Sequence, residues 1–381
     1  MKKIISSLAA LALASAFASA DDIKLSFYNK LYEEDAILIH SDEADETTKD
    51  FPGIKERMQA EVTSEKVDAL VKATVTLDDY DEKHFGLQGE VNDWYVEFRP
   101  IDKIALGMHT GIFADGSTLP IYDDNVNAAN IGSDGFTVSV FPIENLRFAV
   151  TAPFSFDGSP EGVNWIDGNK NEIVGEDEDG NPIREDENFN IGFGAIYDHE
   201  LFQIGASVQD VADSDQRQIG AYINLPKLFG KVEPLTIGAG FAHSEAVRAV
   251  VGDADLISVG PIESCVSYKD LLSAYATFET EKVTVAAEMA YNLGCDDETF
   301  YDFYSAASVS FGIVENLTAT ATGKILVDLK DKDETQKNIT MGAFALDYDL
   351  NENNTVGAEF DIAMRDKDWA IAVPVYWKYH F

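Results

Sequence analysis

The stretch Asp368-Trp369-Ala370-Ile371-Ala372-Val373-Pro374-Val375-Tyr376-Trp377-Lys378-Tyr379-His380-Phe381 decides the fold. Trp369, Ile371, Val373, Val375, Trp377, Tyr379 and Phe381 share one face, while Ala370, Ala372, Pro374, Tyr376, Lys378 and His380 share the other. A period of two over this length marks a strand, because successive side chains point to opposite faces. The first face is wholly apolar and carries aromatics near both ends. A membrane-crossing strand with an aromatic ring at each interface has this pattern. Strands of soluble sandwiches alternate too, but they rarely run so long.

Working back along the chain, the pattern recurs. Val67, Ala69, Val71, Ala73, Val75 and Leu77 oppose Asp68, Lys72, Thr74, Thr76 and Asp78. Leu146, Phe148, Val150, Ala152, Phe154 and Phe156 oppose Arg147 and Thr151. Val356, Ala358, Phe360 and Ile362 oppose Gly357, Glu359 and Asp361. Strands are expected near 22–32, 54–63, 67–78, 84–98, 104–113, 135–141, 146–156, 188–197, 201–209, 216–224, 235–243, 268–278, 283–292, 300–311, 317–328, 338–348, 354–363 and 368–381. In the fourth, apolar parity shifts between Val91 and Trp94, which predicts a bulge. The 338–348 segment has no clean face.

The connections fall into two kinds. Short ones include Ser64-Glu65-Lys66, Pro100-Ile101-Asp102-Lys103, Pro142-Ile143-Glu144-Asn145, Asp198-His199-Glu200, Glu279-Thr280-Glu281 and Ile313-Val314-Glu315-Asn316. Longer, acidic ones span 33–53, 114–134, 157–187 and 244–267. Short and long alternate, as in outer-membrane barrels with short periplasmic turns and longer outer loops. Propellers and sandwiches have no reason to sort their connections in this way. The reading is an all-β, transmembrane antiparallel β-barrel of about eighteen strands, with sixteen as the alternative.

Composition agrees. Residues 1–20 form an export leader: basic Lys2 and Lys3, an apolar run from Ile4 to Phe17, and the small-residue end Ala18-Ser19-Ala20. A single barrel domain is expected over 21–381. No second apolar run is long enough for a spanning helix. The net charge of −40 makes nucleic acid an improbable partner, because phosphate binding takes clustered Lys and Arg. The acidity has two readings, cation enrichment at a pore mouth or solubility during export.

The chain resembles a Gram-negative porin of the 16- to 18-stranded type. Phe381, with Tyr379 and Trp377 at alternate positions before it, is similar to the ending read by the barrel-assembly machinery of the outer membrane. The resemblance covers the whole chain after the leader and matches no subfamily motif. It implies an outer-membrane location, passive passage of small hydrophilic solutes, lipid as the surrounding partner and a homotrimeric assembly. It also implies that the third outer loop folds inward. That loop is 114–134 here, with Asp115, Asp123, Asp124 and Asp134 and no Lys or Arg. Lys72 and Arg147 would face it as a basic wall, and the field between them would filter ions. The competing reading leaves the four aspartates in an exposed loop.

Other constellations carry less. Cys265 and Cys295 are placed symmetrically about Thr280, which predicts a disulfide if the hairpin is centred there. Asp177, Asp179 and Asn181 have calcium-loop spacing, but the twelfth position, which needs Glu, is Asn188. A solvated acidic loop is the stronger reading, so neither a metal nor a cofactor is expected. None of His40, His84, His109, His199, His243 and His380 lies in a nucleophile motif, and no Gly-x-Ser-x-Gly elbow is present, which argues against an enzyme. Tyr28, Tyr95, Tyr222 and Tyr275 fall on the polar faces and offer a sugar-specific channel as the alternative function. A surface adhesin or structural barrel is a third. The leader makes one expectation directly checkable: N-terminal sequencing of exported protein will start at Asp21, whereas a start at Met1 would show an uncleaved anchor.

Overall fold

The computed structural model describes residues 24–33, 38–40, 54–81, 84–108, 135–153, 173–176, 182–184, 191–209, 211, 217–251, 266–293, 302–327, 338–365 and 368–380. They form eighteen barrel strands. These are β1 (Lys24–Glu33, continued by Leu38–His40), β2 (Ile54–Thr63), β3 (Val67–Asp81), β4 (His84–Ile101), β5 (Ile104–Met108) and β6 (Gly135–Ile143). Next come β7 (Leu146–Pro153), β8 (Gly192–His199), β9 (Phe202–Gln209), β10 (Gln218–Leu225), β11 (Leu235–Val251) and β12 (Val266–Glu279). The ring ends with β13 (Val283–Asn292), β14 (Phe303–Val314), β15 (Leu317–Val327), β16 (Ile339–Asn351), β17 (Asn354–Arg365) and β18 (Asp368–Ala372, continued by Val375–His380).

Each strand pairs antiparallel with the next, and β1 pairs with β18, Tyr28 facing His380 and Glu33 facing Val375. The sheet therefore closes on itself. Closure removes the edge that hydrocarbon cannot tolerate, because an unpaired N–H or C=O has no water there. No helix among the described residues is long and apolar enough to cross a membrane.

The hydrophobic side chains point outward. Val71, Phe148, Phe193, Ile219, Phe241, Met289, Phe311, Phe344 and Phe360 are all exposed on the barrel exterior. Thr137, Ser139, Thr151, Ser207, Ser273, Glu97, Glu288 and Asp361 are buried on the interior. A soluble β-protein has the opposite arrangement; only a lipid surround makes this one stable. On β18, Trp377 and Tyr379 pack edge to face outward with centroids 6.3 Å apart, and Trp377 Nε1 donates to Asn354 Oδ1 at 3.0 Å. Tyr197, His199 and Phe202 stack on the same side of the ring at the β8–β9 turn. Phe381 lies outside the described residues.

The expected bulge in β4 is present. Lys72 faces Asp93 and Ala73 faces Val91, leaving Asn92 unmatched. Several boundaries differ from expectation. The strand β11 runs on to Val251, so the connection there is 252–265 rather than 244–267. Leu38–His40 extends β1 into the expected 33–53 loop, and Ile173–Glu176 pairs with Pro182–Arg184 inside 157–187. Only two residues separate β3 from β4 and β17 from β18, so not every loop-end connection is long.

The β12–β13 hairpin corrects the cysteine argument. Glu279 faces Thr284 and Leu271 faces Asn292, so the turn is centred between Glu281 and Lys282, not on Thr280. The cause is local. Thr280 N–H donates to Val283 O at 2.9 Å, and its Oγ1 accepts from Val283 N–H at 3.1 Å. Ser64 closes the β2–β3 turn with Val67 in the same way. Ser64-Glu65-Lys66-Val67 and Thr280-Glu281-Lys282-Val283 are thus one turn motif, with the first hydroxyl replacing a backbone partner. Cys265 and Cys295 lie outside the described residues, and the register removes the symmetry that paired them.

Three tyrosines lie flat against the inner wall. Tyr222, Tyr275 and Tyr376 cross onto Gly205, Gly238 and Gly357 of the neighbouring strands, where any Cβ would overlap the ring. Tyr275 Oη then donates to Asn224 Oδ1 at 3.1 Å, and Tyr376 Oη to Asp347 Oδ1 at 2.8 Å, each two strands away. Gly238→Ala will therefore displace Tyr275 and cost about 1–3 kcal/mol. The unfolding midpoint in urea, read from the heat-modifiable shift on unboiled gels, will fall. An unchanged midpoint would show that the ring has another seat.

Candidate functional site

The candidate site is the inner wall of the barrel. Its side chains come from alternate positions of every strand, so the outward apolar parity of each strand fixes which polar groups face the lumen. Both charge signs occur there. Lys72, Arg99, Arg147, Lys324 and Lys378 share the wall with Asp68, Glu97, Glu288, Asp347 and Glu359.

The most connected group lies on β4 to β7 near the turns. Glu97 faces Gly107 of β5, which faces Thr137 of β6, which faces Thr151 of β7. The small inward residues Ala105, Gly107 and Ser139 leave a trough across β5 and β6. Glu97 reaches across it. Its Oε2 accepts from Arg147 Nη2 at 2.9 Å, and its Oε1 accepts from Arg99 Nε at 2.9 Å and Nη2 at 2.8 Å. Arg147 Nε also donates to Ser139 Oγ at 2.9 Å. The Phe141 ring lies beneath both guanidiniums, 5.6 Å from Arg99 Cζ and 5.9 Å from Arg147 Cζ. Two cations thus share one carboxylate and one aromatic face, a charge-assisted arrangement stronger than neutral hydrogen bonds.

A second group joins β1, β16, β17 and β18. Lys30 faces Lys378 directly across the closure of the ring. Like charges so placed repel. Asp347 offsets this by accepting from Lys378 Nζ at 3.2 Å, and the Tyr376 ring lies 4.7 Å from Lys30 Nζ and 4.6 Å from Lys378 Nζ. Hydroxyls pair across β14 and β15: Thr320 Oγ1 donates to Ser310 Oγ at 3.0 Å and Thr322 Oγ1 to Ser308 Oγ at 3.1 Å. Across β13 and β14, Tyr304 Oη donates to Glu288 Oε1 at 2.6 Å, with both side chains buried.

The residues expected from the sequence are distributed as follows. Lys72 and Arg147 both face the lumen, but at different heights. Lys72 is level with Asp93, four residues nearer the loop end of β4 than Glu97, to which Arg147 is bound. They do not make one basic wall at one level, because Arg147 is drawn into the ion bridge near the turns. Asp115, Asp123, Asp124 and Asp134 lie outside the described residues, as do Asp177, Asp179 and Asn181. Among the described residues no His, Cys, Asp and Glu cluster is arranged to hold a metal. Of the tyrosines, Tyr95 Oη donates to Asp68 Oδ1 at 3.3 Å, and Tyr222 is only 3% exposed, which leaves little of its ring for a sugar to stack on. Sequence reasoning did not single out Glu97. The available signal was its place on an inward parity shared with Arg99, opposite strands whose inward residues are small.

No family model matches the chain, and no curated protein matches it in sequence. Solved structures do. OpdK of Pseudomonas aeruginosa, solved with vanillate, is 12% identical with a TM-score of 0.53, covering 95% of this chain and 99% of that one. An improved structure of the same protein, also called OccK1, gives the same values. A triple mutant of the Rhodopseudomonas blastica porin is 12% identical with a TM-score of 0.45, covering 94% of this chain and all of that one. The fold is the closed antiparallel β-barrel that OpdK also has. At these identities the likeness speaks for the barrel alone, and the lining of the lumen belongs to this chain.

Glu97 holds the group on β4 to β7 together. Glu97→Gln would leave two guanidiniums side by side with no shared anion. Breaking a buried pair costs about 3–5 kcal/mol, and the half-exposed Arg99 places this case at the low end. The urea midpoint of the refolded barrel will fall. Combining it with Arg147→Met will recover most of the loss, and a double variant no better than the single would show that the pair is not coupled.

Proposed function

We propose that this chain is an outer-membrane pore through which small hydrophilic solutes diffuse passively, with cations preferred. The observation that carries the reading is the closed ring of eighteen strands with an apolar exterior and a polar interior. A ring of this size is too wide for its own side chains to fill, so water occupies the lumen. The inward tyrosines support it: laid flat over Gly205, Gly238 and Gly357, they add little to the thickness of the wall. The preference for cations rests on the connections at the loop end. Residues 154–191 alone contain eleven acidic and two basic side chains. Anions approaching that mouth are repelled and cations are enriched.

The remaining parts of the reading follow from the same architecture. Residues 1–20 are the cleaved export leader, and Trp369, Trp377, Tyr379 and Phe381 serve as girdle and as assembly signal. Loop 114–134, with Asp115, Asp123, Asp124 and Asp134, narrows the lumen. A homotrimer is the assembly suited to such a barrel. The barrel fold shared with OpdK, whose structure holds the small solute vanillate, supports transport over catalysis. A solute-specific channel is the second reading, favoured by Tyr95 and Tyr275 on the inner wall and by the vanillate named for OpdK.

Planar-bilayer recording separates these readings. Refolded protein will give stable conductance steps, with a reversal potential of the sign for cations in a potassium chloride gradient. Liposomes will swell with sugars at rates graded by size. Swelling confined to one solute would favour the specific channel. Absence of both conductance and swelling, with whole cells binding a surface ligand, would favour an adhesin and sink the pore.

A further inference from the structure

The ion bridge on β4 to β7 is not neutral. Glu97 contributes one negative charge and Arg99 and Arg147 one positive charge each. The carboxylate is consumed internally, since each of its oxygens already accepts from a guanidinium. The guanidiniums are not. Arg99 binds Glu97 through Nε and Nη2, and Arg147 uses Nε for Ser139 and Nη2 for Glu97, so the Nη1 group of each is left over. The Arg99 side chain is 46% exposed and that of Arg147 16%, against 7% for Glu97, so the cluster hides its anion and presents a cationic edge that is chiefly that of Arg99. Phe141 holds both planes from below. Ala105, Gly107 and Ser139 lie buried beneath the bridge, which gives the two guanidiniums and the carboxylate room to meet. The site is built: Glu97 fixes the forks in place, so little side-chain freedom is lost when a ligand arrives.

We infer that Arg99 and Arg147, positioned by Glu97 and Phe141, form an anion-recognition site on the lumen wall near the turns, accepting the carboxylate or phosphate group of a passing solute. The inference deepens the pore reading and rests on it for its role. It gives the channel a feature that net charge alone opposes: a local anion station inside an acidic protein. An anion that presents two oxygens, as a carboxylate or a phosphate does, matches guanidinium donors better than a spherical ion does. Chloride therefore passes while oxyanions pause. The Lys30, Lys378, Asp347 and Tyr376 group repeats the composition of two cations, one carboxylate and one ring on the far side of the closure.

Two measurements test this, each able to stand without the other. In the first, inorganic phosphate or acetate is titrated into bilayers holding the protein in potassium chloride. Each anion will interrupt the current in a concentration-dependent way. Arg99→Gln will weaken the effect about tenfold, the loss of one charge-assisted contact. Arg99→Lys will restore part of it. Lys282→Gln removes the same charge from an exposed turn and will leave it unchanged. In the second, the phosphorus-31 linewidth of inorganic phosphate is followed with detergent-solubilised protein. Broadening in the wild type, lost in Arg99→Gln and competed by acetate, supports the site even if the barrel does not conduct. Competition by acetate assigns the site to oxyanions in general, and its failure assigns it to phosphate. Conductance without any effect of either anion, or equal effects of Arg99→Gln and Lys282→Gln, overturns the inference and leaves the pore standing.

Discussion

Everything in this molecule depends on one constraint: a backbone amide in hydrocarbon must find its partner within the protein. A sheet meets it only by closing, and closure here is made where β1 meets β18. Side chains reinforce that seam from inside. Tyr376 of β18 lies on Gly357 of β17 and reaches Asp347 of β16, while Lys30 of β1 approaches the same ring. The first strand is thus tied to the last three by contacts separated by most of the chain. Because the ring must close with its apolar face outward, the polar positions have nowhere to go but inward. The lumen is a consequence of the membrane, and its chemistry is the set of residues left over from satisfying lipid.

That division also explains where the charge sits. The described wall carries acids and bases together, many of them tied to one another, as Glu97 is to Arg99 and Arg147 and Asp347 to Lys378. The strongly negative balance of the sequence is concentrated instead in connections such as 154–191. Coulomb repulsion among acids is weak in water and severe in a confined, low-dielectric wall, so segregation is the favourable arrangement.

Most of the ring was legible in the sequence because period-two alternation and lipid exposure give the same signal strand after strand. The parity break between Val91 and Trp94 even located the bulge at Asn92. Where the signal failed, the cause is physical. In β16 the inward positions Ile339 and Met341 are apolar and the outward Thr340 and Gly342 are not, so no face was clean near the loop end. The β12–β13 turn was misplaced because strand pattern fixes faces and not turn centres, whereas the hydroxyl at Thr280 fixes the turn. The Glu97 bridge was missed for a different reason. It spans four strands, and whether Glu97 meets Arg147 depends on three successive registers with two irregularities. Alternation assigns a residue to a face but not to a height.

The central claim is an inverted barrel around water, and β17 tests it most directly. Nitroxide labels placed one at a time from 354 to 364 can be scored for collisions with oxygen, which dissolves in lipid, and with a water-soluble nickel chelate. The account predicts two opposed alternations: 356, 358, 360 and 362 reached by oxygen, and 357, 359 and 361 reached by the chelate. Inner positions sealed from the chelate would contradict the water-filled lumen, and a loss of alternation would contradict the barrel.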